Sequence, residues 1–120
     1  MGMDLRVSFG SKDAPTWPAV VATMQTRGWG VTMRMIDNEL AFPDETPSES
    51  WRELRVAADG AMVTVRRAAD GVALVAWGNA DAAQLRLWHR LAWAFATAGG
   101  GVIHTEAGTR TPAEFAEGLE

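Results

Sequence analysis

Apolar and polar positions alternate near the start of the chain. Leu5, Val7 and Phe9 are separated by Arg6 and Ser8, which predicts a half-buried strand. The period then lengthens. Trp17, Val20, Val21 and Met24 fall at i, i+3, i+4 and i+7, one face of a helix. Asp13 or Thr16 is placed to cap it, and Pro15 and Pro18 fit only at its start. Gly28 stands where a left-handed residue closes a helix, a motif that brings Trp29 back to Met24. Val31, Met33 and Met35 alternate with Thr32 and Arg34 as a second strand, and Asp37-Asn38 reads as a turn into a short strand over residues 39–42. Residues 43–50 form a loop whose only apolar members are prolines.

A meander of three strands follows, over about residues 51–57, 62–67 and 72–77. The tetrapeptide Ala-Ala-Asp-Gly occurs at 57–60 and again at 68–71, and reads as two similar hairpin turns. Residues 73–77 are all apolar, so this strand is expected at the centre of the sheet, covered on both faces. Asn79 can cap a long helix that runs to about Ala98 and closes in Gly99-Gly100-Gly101. Residues 102–105 suggest a last strand, and Thr111-Pro112 opens a short helix over residues 113–119. Mostly consecutive strands predict an α+β fold. The expectation is a mainly antiparallel sheet of about six to seven strands, two longer helices on one face and a short C-terminal helix. At 120 residues the chain is expected to be a single domain, 1–120.

Composition narrows the chemistry. The chain has no cysteine, which excludes disulfides, thiolate metal sites and cysteine nucleophiles. The first 13 residues lack the apolar run of a signal peptide, and no window suggests a membrane span, so a cytoplasmic protein without membrane contact is expected. Net charge is −4 and uneven: residues 37–53 hold six acids and one base, and the remainder is nearly neutral. Overall acidity argues against nonspecific nucleic-acid binding, which needs a basic footprint. Asp44, Glu45 and Glu49 lack the glycine and alternating acids of a calcium loop. They form either a solvated loop or a surface for a basic partner.

Catalytic signatures are missing. Gly99-Gly100-Gly101 and Gly28-Trp29-Gly30 follow helices instead of preceding them, the wrong end for a phosphate loop. Ser8, Ser11, Ser48 and Ser50 lie in no nucleophile elbow. The only histidines are His89 and His104; His104 could share a strand face with Glu106, but two ligands make no metal site. No catalytic residue, metal or cofactor is expected. Arg6, Arg34, Arg55 and Arg66 fall on polar strand faces, interleaved with Glu53, Thr32 and Thr64, as a solvated surface or one for an anion or protein.

Six tryptophans remain to be placed. Trp17 and Trp88 lie on helical apolar faces, and Trp77 ends the all-apolar strand. Trp93 differs. On a helical wheel it falls with Arg86, His89, Arg90 and Thr97, opposite Leu85, Leu87, Trp88, Leu91, Ala92, Phe95 and Ala98. Either Phe115 and Leu119 or the acidic loop covers it, or Trp93 with Arg86, His89 and Arg90 anchors a protein partner or a symmetric dimer.

At residues 91–108, LAWAFATAGGGVIHTEAG, an alanine-rich helix closes in glycines, and a strand of form Val-Ile-x-x-Glu runs into a glycine turn. This segment, about 18 of the 120 residues, resembles the C-terminal portion of small uncharacterised bacterial α+β proteins. Some of these are grouped with immunity proteins of polymorphic toxin systems. An aspartate usual after the strand is replaced here by Thr105-Glu106. The resemblance implies a bacterial source and a partner-binding role, and carries over no catalytic residue. The expectation is therefore a non-enzymatic domain that binds a protein or itself. The alternative is a small-molecule binder or minor enzyme, its pocket between helices and sheet lined by tryptophan, methionine and arginine.

Overall fold

The computed structural model describes residues 3–77 and 81–119. The elements are β1 (Met3–Ser8), α1 (Trp17–Gln25), β2 (Thr32–Ile36), β3 (Glu39–Leu40), β4 (Glu53–Ala58), β5 (Ala61–Ala68), β6 (Gly71–Ala76), α2 (Ala82–Gly99), β7 (Val102–Thr105), β8 (Gly108–Arg110) and α3 (Pro112–Ala116). Eight strands form one sheet in the order β3-β2-β4-β5-β6-β1-β7-β8. All of its pairings are antiparallel. The fold is α+β, as expected, with one strand more than the sequence pattern suggests. Gly108–Arg110, too short and polar to show a period, returns beside β7 as β8.

Direct cross-strand partners share a face of a sheet. Leu54, Val65, Leu74 and Leu5 stand in one row, and Val72, Val7 and Ile103 in another. All are buried. α2 lies on this face, where the Trp88 indole N–H donates to the Leu74 carbonyl at 2.8 Å. α1 packs chiefly on α2, with the Trp17 and Phe95 ring centroids 6.2 Å apart. Each of these side chains is worth about 1.5–3 kcal/mol when fully buried. An exposed ion pair contributes under about 1 kcal/mol. The fold therefore rests on this layer, not on surface pairs such as Glu53–Arg66.

Local signals place the ends of the helices. Thr16 caps α1 by accepting from Ala19 N–H at 3.3 Å. Gly28 has φ +75°, and Trp29 N–H donates to the Met24 carbonyl at 3.1 Å, the expected helix-closing bond. Asp81 caps α2 by accepting from Gln84 N–H at 2.8 Å; Asn79, the expected cap, lies outside the described residues. Gly100 ends that helix in the left-handed conformation. Thr111 and Glu114 form a reciprocal capping box at α3, which is shorter than its expected span.

Two expectations are corrected. The repeated Ala-Ala-Asp-Gly does not make two similar turns. At β4–β5, Asp59 (φ 52°) and Gly60 (φ 80°) are the two-residue loop, which is the left-handed pair a type I′ turn requires. At β5–β6, Ala68 pairs with Gly71, so the loop shifts back to Ala69-Asp70 and Gly71 belongs to the strand. There the missing side chain matters for contact: a Cβ on Gly71 would stand 1.8 Å from the Val7 carbonyl oxygen.

The second correction concerns the apolar strand. β6 is interior to the sheet and buried on both faces apart from Ala73, with Val75 on the far face 7% exposed, but its continuation at Trp77 is not. Trp77, expected with the core, is 50% exposed on that open face. It is held by an indole N–H bond to the Thr64 hydroxyl at 3.3 Å and by Arg66, 5.4 Å from its ring.

Candidate partner-binding surfaces

The expected patch on α2 is divided, with Trp93 enclosed and Arg86, His89 and Arg90 beside a concavity. Trp93 is 7% exposed. Its indole meets Trp29 edge-on, with centroids 5.6 Å apart, and the Arg27 guanidinium lies 4.8 Å from its centroid. The cover comes from the α1–β2 connection, not from Phe115, Leu119 or the acidic loop. The wheel places Trp93 on a polar side because α2 has two buried sides. Leu91 through Ala96 are all buried, between the sheet on one side and α1 with its following loop on the other.

Its expected companions Arg86, His89 and Arg90 line one concavity on the half-buried flank of α2. The Arg90 guanidinium stacks 4.3 Å from the Trp29 centroid. His89 lies between Trp88, at 5.1 Å, and Phe115, at 5.8 Å. Burial there pushes the His89 pKa below its ordinary value, because desolvation disfavours the imidazolium. The same concavity is bounded by Gly118 and Leu119 beyond α3.

The acidic segment is more coherent. Asp37 is structural: its carboxylate accepts from the Arg52 and Glu53 N–H groups at 2.7 and 2.9 Å. Those two bonds hold its pKa below the ordinary carboxylate value. Glu53 turns to the open sheet face and pairs with Arg66 at 2.9 Å. Glu39, Asp44, Glu45 and Glu49 remain exposed at the β3 edge and along the loop after it. Pro47 is buried and pins that loop. Glu45 accepts from Phe42 N–H at 3.1 Å, so the loop folds back on the end of the hairpin.

Within this acidic surround stand two residues that sequence reasoning passed over. Leu40 is 88% exposed and Phe42 75%. Ala41 between them packs on the core, and its N–H donates to the Arg34 carbonyl at 3.1 Å. The signal was present in the pattern, since Leu40-x-Phe42 is a period-two apolar pair. What it could not show is that β3 is an outermost strand of two residues with nothing laid over it among the described residues.

On the open face, Leu40, Met35, Arg55, Thr64, Val75 and Asp4 form one row. Glu53, Arg66, Ala73, Arg6, His104 and Thr109 form another. Arg6, Arg55 and Arg66 therefore share a face, as their alternation suggests, while Arg34 sits at a register shift in β2. His104 is not aligned with Glu106, which lies in the β7–β8 turn. His104 Nε2 is instead 2.6 Å from the Ser8 hydroxyl, and Nδ1 is 3.5 Å from the Thr109 hydroxyl.

Among the described residues no cluster of three or more histidine or acidic side chains is placed to hold a metal ion. No described helix is long and apolar enough to cross a membrane.

Set against protein families, curated proteins and solved structures, the chain matches none.

Proposed function

We propose that the chain is a non-enzymatic binding domain that recognises another protein through its acidic β3 edge. Leu40 and Phe42 are the apolar anchors, and Glu39, Asp44 and Glu45 are the charged rim. One observation carries the reading: the two most exposed large apolar side chains of the described residues lie two positions apart within the most acidic part of the chain. A contiguous apolar pair costs free energy in water and is commonly found where a partner removes it. The surrounding carboxylates select a basic partner and speed its approach. Glu49, farther along the loop, widens the same field. The resemblance of residues 91–108 to proteins grouped with toxin immunity supports the same class of role, in a bacterial cytoplasm.

The test places a photoactivatable phenylalanine analogue at Phe42 in the source cells and identifies what it captures. The captured protein is then purified and titrated against the chain. The reading expects a basic protein whose affinity falls at least about tenfold with Leu40→Asp and with Asp44→Lys plus Glu45→Lys, and weakens as salt rises. Binding that is indifferent to all of these changes, or capture of nothing above background, overturns it. Capture of a second copy of the chain replaces the basic partner with self-association.

A further inference from the structure

A cleft lies between the far part of the acidic loop and the start of α1. It has a volume of 550 Å³ and is lined by residues 13–18, residues 46–49, Trp51 and Arg67. That volume falls in the range of ligand sites, roughly 300–1,000 Å³. Neither Leu40 nor Phe42 contributes to it.

The walls of the cleft are stiff. Pro15, Pro18 and Pro47 each fix a backbone φ along it. Pro47 is buried. Pro15 stands against the end of α2, where a Cβ on Gly99 would come within 2.8 Å of its Cδ. Thr16 is held by its role as the α1 cap. Walls ordered in advance reduce the entropy lost on binding.

Several polar groups at the cleft have no partner among the described residues. Trp17 and Trp51 are 6% and 2% exposed. The Trp77 and Trp88 indoles donate to Thr64 and Leu74, but those of Trp17 and Trp51 find no acceptor in the chain. Neither N–H is sealed from solvent, and the cleft is the space the two residues share. The Arg67 guanidinium lies 4.3 Å from the Trp51 centroid and forms no ion pair. The Asp13 and Glu49 carboxylates, both exposed, have neither a cation nor a hydrogen bond.

Buried donors beside exposed acceptors select against simple ligands. A lone cation leaves the indoles unanswered, and a lone anion meets two carboxylates. An extended peptide supplies both kinds of group: backbone carbonyls for the N–H donors and a basic side chain for the acids.

We propose that this cleft binds an extended peptide segment carrying arginine or lysine. Its backbone carbonyls accept from the Trp17 and Trp51 indoles and from Arg67, and its basic side chain pairs with Asp13 and Glu49. The site does not rest on the β3 edge, although Glu49 belongs to the loop that the two surfaces share.

A capped pentapeptide of alternating arginine and proline, which favours an extended backbone, is titrated into the whole chain and followed by amide and indole N–H chemical shifts. Its glutamate counterpart and agmatine, a guanidinium without a peptide backbone, are the comparison probes. The arginine peptide should move the Trp17 and Trp51 indole signals and the amides around residues 13–17 and 46–51. It should bind at least about tenfold tighter than either comparison probe, the scale of a charge-assisted contact. Asp13→Asn with Glu49→Gln, both at exposed positions, should lower its affinity at least about fivefold. Equal binding of agmatine or the glutamate peptide, an affinity that survives the double variant, indole signals that stay in place, shifts elsewhere, or no shifts at all overturns the proposal. Capture at Phe42 and its Leu40, Asp44 and Glu45 variants involve none of these residues, so the two readings fail separately.

Discussion

Trp29 and Trp93 meet edge to face, their planes at 79°. The pair closes the gap between the end of α1 and the flank of α2. It explains how a large indole on an arginine-bearing side of a helix is buried inside one chain.

Trp93→Ala should therefore destabilise the monomer by roughly 3 kcal/mol, as truncation of a buried aromatic does. In a double-mutant cycle with Trp29→Ala, the coupling should be about 1 kcal/mol. Urea unfolding of the four proteins measures both. A loss under about 0.5 kcal/mol for Trp93→Ala would show that the indole is not packed as described.

The two Asp-Gly sites give an internal comparison. Gly60→Ala places a side chain in open space and pays only for the left-handed backbone, about 1 kcal/mol. Gly71→Ala drives a methyl into the Val7 carbonyl and must separate β6 from β1 locally, so its loss should be several-fold larger. Thermal unfolding of the two variants ranks them, and equal losses would contradict the register described for β1 and β6.

His89 should make stability depend on pH. Its folded pKa lies below its ordinary value, so near neutrality and below the unfolded chain binds more protons than the folded one. Stability from this site is full above the ordinary histidine range and is lost as pH falls through that range toward the lowered value. Denaturation midpoints measured from about pH 7.5 to 5 should fall with acid in the parent and less steeply in His89→Gln. His104→Gln is the control for the exposed ring. A His89→Gln slope identical to the parent's would remove the role.

Asp37 separates charge from geometry. Asp37→Ala leaves two N–H groups without their acceptor and puts a Cβ-only residue at φ 48°, a loss of about 1–2 kcal/mol even after allowance for solvent exposure. Asp37→Asn keeps an acceptor and tolerates the left-handed backbone, so it should lose about half as much. Because the folded pKa is lowered, the aspartate's contribution is present above the ordinary carboxylate range and disappears as pH falls below it. Comparing the two variants at neutral and acid pH checks the assignment.

Local rules were legible where a few adjacent residues decide the outcome. Thr16, Gly28 and Thr111 act as the caps and stops their neighbours imply, period-two alternation located β1 and β2, and the Asp-Gly turns and the apolar run 73–77 marked the meander. The same rules misjudged the second Ala-Ala-Asp-Gly. A tetrapeptide does not say which two of its residues span the hairpin; pairing of Gly71 with both Ser8 and Ala68 decides that.

Exposure was the larger gap, because it belongs to neighbours distant in sequence. Trp93 and Trp77 look alike as large apolar residues near arginine. One is enclosed by Trp29 and Arg27, brought from about 65 residues away, and the other stands half-exposed where no described helix covers it. Leu40 and Phe42 alternate as a buried strand would, yet their strand lies at the rim of the sheet. The sequence by itself determined most of the elements, the caps of α1 and α3 and the acidic character of one segment, since these follow from short-range sterics, hydrogen bonding and charge. The order of strands in the sheet, which puts β3 at an edge and joins the Trp29 loop to α2, was decided only by tertiary packing, where burying the most apolar surface at once selects among arrangements that local propensity leaves equal.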